Sequence, residues 1–154
     1  MKVILDTNIY IATMRFINLD RMLIWKLLEE GITIVLTDFI IEELRENFRE
    51  KYKPEEWGRA LDLLLKFLGT GYVEVKRWDE YSYHIEEARK LTNEKDAPLL
   101  AAAMLDDVDF LITRDKKAFL ENEKLRGTPL GRKVHSPQSF LAHLRTIQYG
   151  IGFR

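Results

Sequence analysis

The sequence predicts an α/β protein, three layers deep (α/β/α), with a central parallel sheet of four to five strands. Three observations carry this. Short, continuous apolar runs recur along the chain, as suits strands buried on both faces. Stretches with helical apolar spacing fill the intervals, and strands alternating with helices imply a parallel sheet covered on both sides. The chain has 154 residues, 46% of them hydrophobic, which suits one domain with a real core and not two.

The first run, Val3-Ile4-Leu5, ends on Asp6. Leu19, Met22, Leu23 and Leu27 then share a helix face. Gly31 leads into a β-branched strand, Ile32 to Leu36, and a helix starts near Asp38 with the apolar stripe Ile40, Ile41, Leu44 and Phe48. Trp57, Leu61, Leu64 and Leu68 form another stripe, in a helical insertion over residues 51–71. Tyr72 to Val75 is a weaker strand. Leu99 to Leu105, rich in Leu and Ala, reads as a buried helix. Phe110 to Thr113 is the fourth strand, and Lys133-Val134-His135 a short edge strand. Ser136-Pro137 caps a last helix carrying Phe140, Leu141 and Leu144. A single domain is expected over residues 1–146, with a C-terminal tail over 147–154.

Charge and cysteine content narrow the function. A net charge of -1 gives no global attraction to a polyanion, so contact with one requires a local basic patch or a bound cation. The absence of cysteine excludes disulfides, thiolate zinc sites and cysteine nucleophiles. No run approaches the length of a membrane span, and Asp6 interrupts the apolar stretch a signal peptide would continue. A cytoplasmic chain, away from the membrane, is expected.

The acids then stand out by position. Ligands of open α/β sheets sit beyond the carboxyl ends of the strands. Asp6 ends the first strand and Asp115 lies just past the fourth. At roughly 100° per residue, Glu42 and Glu46 point away from Leu44, while Glu43 lies at the rim of the apolar stripe beside Ile40. Asp96 shares a face with Leu99, Leu100 and Ala103, and an acid beneath an apolar face needs a partner. Each acid alone has a plainer reading. Asp6, Asp96 and Asp115 are placed to cap helices, and Glu43 to lie on the surface. Convergence on one cleft shifts the balance, because four carboxylates repel one another without a cation. Oxygen donors favour Mg²⁺ or Mn²⁺.

These residues resemble the motifs of the PIN-domain nucleases. The resemblance is carried by Val3-Ile4-Leu5-Asp6-Thr7-Asn8, by Thr37 to Leu44 with Glu43 before Leu44, by Asp96 followed by Leu100 to Ala103, by Asp109 to Asp115, and by the ending Ser136-Pro137 to Leu141. It implies a PIN-like, Rossmann-like fold and metal-dependent endoribonuclease cleavage of phosphodiesters in an RNA substrate. Stand-alone copies of this size are often toxins of toxin–antitoxin pairs, as in the VapC-like group, which implies an antitoxin protein partner and a homodimer. An RNA-processing PIN nuclease that is not a toxin and a catalytically degenerate PIN-like binding module are the alternatives. A haloacid-dehalogenase-like phosphatase also starts with a strand and Asp, but needs Asp where this chain has Asn8.

On this reading Asp6, Asp96 and Asp115 bind metal, and Glu43 completes the shell or orients the attacking water. Asn8 and Thr113, each two residues from a proposed ligand, are candidates to orient it by hydrogen bonding. Arg114 and Lys116 flank Asp115 and are candidate phosphate contacts. For Arg15, Arg45, Arg49 and Lys117 a solvated face is the preferred reading.

Overall fold

The computed structural model describes residues 1–15 and 18–152, without the side chains of residues 15 and 148–152. Five strands, β1 (Lys2–Leu5), β2 (Thr33–Thr37), β3 (Val73–Lys76), β4 (Phe110–Ile112) and β5 (Val134–His135), form one sheet. All four pairings are parallel, and the order is β3-β2-β1-β4-β5. This is the three-layer α/β architecture expected from the alternation of runs.

The central strand is β1. Val3, Ile4 and Leu5 are fully buried, as their unbroken apolar character requires of a strand covered on both faces. At the sheet edge, β3 exposes Val73 and Val75, and this is why its sequence signal is weak. In register, Leu5 lies opposite Ile112, and the Asp6 amide donates to the Ile112 carbonyl at 2.9 Å. The chain leaves β1 toward β2 on one side and reaches β4 on the other. The crevice beyond β1 and β4 is therefore the switch point where ligands of such sheets bind.

The first four helices are α1 (Thr7–Arg15), α2 (Leu19–Glu29), α3 (Asp38–Lys51) and α4 (Pro54–Leu68). Three short helices follow, α5 (Trp78–Tyr81), α6 (Ile85–Leu91) and α7 (Ala97–Ala103). Then come α8 (Glu123–Arg126) and α9 (Pro137–Gly152). A π-helical turn spans Lys116–Leu120. Local chemistry sets the starts. Asn18 caps α2 by accepting from the Arg21 amide, and Thr37 caps α3 by accepting from the Ile40 amide. Gly31, at φ +69°, makes the turn from α2 into β2, a conformation that favours glycine.

Helix α4 occupies the helical region expected over residues 51–71. Leu64 and Leu68 are buried, Trp57 and Leu61 pack partly against the core, and Phe67 stacks on Trp25 with ring centres 6.0 Å apart. It is part of the helical layer. Helix α9 continues through Gly152, so the segment expected as a tail over 147–154 begins as helix, and residues 153 and 154 lie outside the described residues. Among the described residues, no helix is long and apolar enough to cross a membrane.

Candidate active site

One hydroxyl joins the ends of β1 and β4. Asp6 is buried, with 8% of its surface exposed, and its Oδ2 accepts a hydrogen bond from Thr113 Oγ1 at 2.8 Å. Thr113 is fully buried, and its Oγ1 also accepts from the Asp115 amide at 3.0 Å. Asp115 in turn caps the π-helical turn, its Oδ1 accepting from the Ala118 amide at 2.9 Å. The capping role open to Asp115 in the sequence is thus real, and it fixes one carboxylate oxygen.

Glu43 reaches the same place from α3. Its Oε1 accepts from Thr7 Oγ1 at 2.9 Å, and Thr7 is buried at the start of α1 beside Asp6. Glu42 and Glu46 are exposed. Asp96 stands at the N-cap position of α7 without a side-chain capping bond. Its amide is held by Asn93 Oδ1 at 3.0 Å, and its carboxylate accepts no hydrogen bond from the described residues.

Electrostatics tie the four acids together. Burial pushes the Asp6 pKa up; the Thr113 hydroxyl and the Thr7 amide oppose this, while the charges of Asp96 and Asp115 add to it. Burial also raises Glu43, offset by the Thr7 hydroxyl and by Lys95 and reinforced by Asp6 and Asp96. Asp6 is thus coupled to all three other carboxylates. Among the described residues, no three acidic or histidine side chains converge as arranged on one ion. The donor chemistry nonetheless fits a hard divalent cation: all four side chains offer carboxylate oxygens, and nearby carboxylates disfavour the charged forms of Asp6 and Glu43.

The raised pKa values have a consequence for stability. Asp6 and Glu43 titrate higher in the folded chain than in the unfolded one. Their contribution is fully present below the unfolded values and is lost as pH rises through the folded ones. Elsewhere the sign reverses. Hydrogen bonds from Lys2 and Lys76 lower Glu74, and one from Lys76 lowers Asp107, so their stabilisation is lost as pH falls. A variant isolates the site. In metal-free buffer, wild type should lose stability relative to Glu43→Gln as pH rises from the ordinary glutamate range through the raised pKa of Glu43. Denaturant melts at several pH values measure this, and parallel curves would contradict it.

The remaining sequence candidates are placed as follows. Asn8 is exposed and hydrogen-bonds none of the four acids; its neighbour Thr7 makes that contact instead. Arg114 is not a free cation. Its Nε donates to both carboxylate oxygens of Asp20, at 2.8 and 3.1 Å, and its Nη2 lies 2.8 Å from Oδ1. Lys116 is exposed. Arg45 pairs with Glu42, Arg49 lies over Trp57, and the Arg15 side chain is outside the described residues. Sequence reasoning missed Thr7, Lys95 and Asp20. A groove of about 520 Å³ is lined by Asn93 and Ala118, which hydrogen-bond Asp96 and Asp115, and by Lys117, Glu121, Glu123 and Lys124.

Comparison with known proteins decides the family. Residues 2–117 match the PIN domain. The chain belongs to the PIN domain family. This PIN domain has the fold of a solved structure described as VapBC2 from Rickettsia felis bound to a DNA fragment from their promoter. The two are 18% identical, with a TM-score of 0.60 over 88% of this chain and 98% of that one. No curated protein sequence matches this PIN domain. PIN domains are generally nucleases and typically use a divalent metal.

Proposed function

We propose that this PIN domain is a divalent-metal-dependent endoribonuclease, acting as the toxin of a toxin–antitoxin pair. The observation that carries the nuclease reading is the buried Asp6 at the end of β1, joined through Thr113 to Asp115, with Glu43 held against the neighbouring Thr7. Such crowding disfavours the charged form and is relieved by a cation. Asp6, Asp96 and Asp115 would hold Mg²⁺ or Mn²⁺. When bound, the ion supplies a more acidic water and neutralises charge developing on the phosphate. Thr113 fixes the direction of the Asp6 carboxylate and the backbone at Asp115. Glu43, held by Thr7, orients the attacking water, with Lys95 favouring its ionised form. Lys116 contacts a phosphate of the RNA.

The toxin reading is supported by the VapC-like resemblance and by the shared fold with VapBC2. Its partners would be a small antitoxin protein and a second copy of the chain, in the cytoplasm. One observation favours a second reading, a degenerate PIN-like binding module: no three acids converge on one point among the described residues.

The discriminating experiment incubates the purified chain with single-stranded RNA in Mg²⁺ or Mn²⁺ and in chelator. Cleavage in metal alone, with a rise in melting temperature on metal addition, is the expected result. No cleavage and no thermal response would favour the binding module. Co-purification with the product of an adjacent small reading frame tests the toxin assignment.

A further inference from the structure

Asp20 lies in the first turn of α2 and is 2% exposed. Its partner is Arg114, 94 residues away, gripped through Nε and Nη2. Arg114 sits between Thr113 and Asp115, at the carboxyl end of β4. A buried carboxylate is costly, and a buried ion pair adds little net stability over an apolar pair of similar volume. What the pair supplies is orientation. The guanidinium is a planar fork with donors on two edges. Asp20 takes the Nε edge. Nη1 makes no hydrogen bond among the described residues, and the side chain is 42% exposed.

We propose that Asp20 is a positioning residue: it grips one edge of Arg114 and presents the other edge to a phosphate of the RNA strand, flanking the scissile one. The proposal rests on the ribonuclease reading above. Arg114 follows β4 and is bonded to α2 through Asp20, whereas Asp96 stands at the start of α7 and Glu43 on α3, so the strand would run past the four acids to reach it. An arginine held in this way loses little rotational freedom on contact and recognises phosphate through two parallel hydrogen bonds. A free surface arginine would meet the same phosphate less tightly. Arg114 thus serves as a phosphate contact through a carboxylate that the sequence alone does not connect to it.

The test follows initial rates of cleavage of a short fluorescein-labelled single-stranded RNA by the full chain. Arg114→Ala should raise KM about tenfold and leave kcat within about twofold, the loss of one charge-assisted phosphate contact. The dependence of log KM on log salt should become shallower by about one charge. Arg114→Lys should restore the salt slope but only part of KM, because an ammonium lacks the fork. Asp20→Asn should raise KM several-fold, and should add nothing in the Arg114→Ala background. If Asp20→Asn fails to fold, KM and the salt slope of Arg114→Ala decide. An unchanged KM and salt slope in Arg114→Ala, with wild type cleaving normally, would overturn the proposal and leave the nuclease reading intact. An undiminished Asp20→Asn effect in the Arg114→Ala background would overturn it too, making Asp20 a structural residue. Failure of wild type to cleave in any divalent metal would remove the nuclease reading, and the proposal with it.

Discussion

Asp6→Asn should reduce RNA cleavage about a thousandfold, a loss of about 4 kcal/mol of transition-state stabilisation, while making the metal-free protein more stable. The two effects have one cause. Asn keeps the shape of the side chain and an oxygen able to accept from Thr113 Oγ1, so the buried hydrogen bond survives. It removes the charge that burial, Asp96 and Asp115 all oppose. Stability should rise by about 1 kcal/mol in chelator, the scale of gain common when a strained functional group is replaced. The same substitution should abolish the thermal response to Mg²⁺. Turnover and melting temperature, each with metal and with chelator, give four readings. Wild-type cleavage by a folded Asp6→Asn protein would remove Asp6 from the role assigned to it.

Thr113→Val should have the second largest effect, through a residue that carries no charge. The side chains have nearly the same volume, so no cavity opens in the fully buried site. What disappears is one oxygen with two duties, donating to Asp6 and accepting from the Asp115 amide. An unsatisfied buried carboxylate oxygen and an orphaned amide should together cost about 2–3 kcal/mol of stability. Loss of the group that orients a ligand should lower activity or metal affinity about 10–100-fold. Thr113→Ser should recover most of both, because the hydroxyl returns. A Thr113→Val protein with unchanged Mg²⁺ affinity and turnover would show that Asp6 and Asp115 are held well enough without it.

The strands were legible because physics writes them locally. Val3-Ile4-Leu5 and Leu111-Ile112 are buried on both faces and must be apolar throughout. The β2 strand is shifted by one residue, Thr33–Thr37 against the apolar run Ile32 to Leu36, because its last residue also caps α3. Periodicity likewise separated the half-buried Glu43 from the exposed Glu42 and Glu46. Contacts between distant segments left no trace. Thr7 and Asn8 are adjacent short polar residues, and the setting of α1 decides which one meets Glu43, 36 positions on. The bond between Arg114 and Asp20 joins two surface-like residues whose partnership exists only after folding. Segments 78–91 and 116–126 break into pieces too short to show a period.

The order of the sheet has a bearing on synthesis. Its central strand is made first, yet its neighbour β4 begins at Phe110, and the hydroxyl that holds Asp6 belongs to a residue 107 positions later. At translation rates of about 5–20 residues per second, the ribosome needs roughly 5–20 s to travel from one to the other. Through that interval the nascent chain has Asp6 but neither Thr113 nor Asp115. Whatever chemistry this edge performs is withheld from the growing chain until Thr113 and Asp115 have been added.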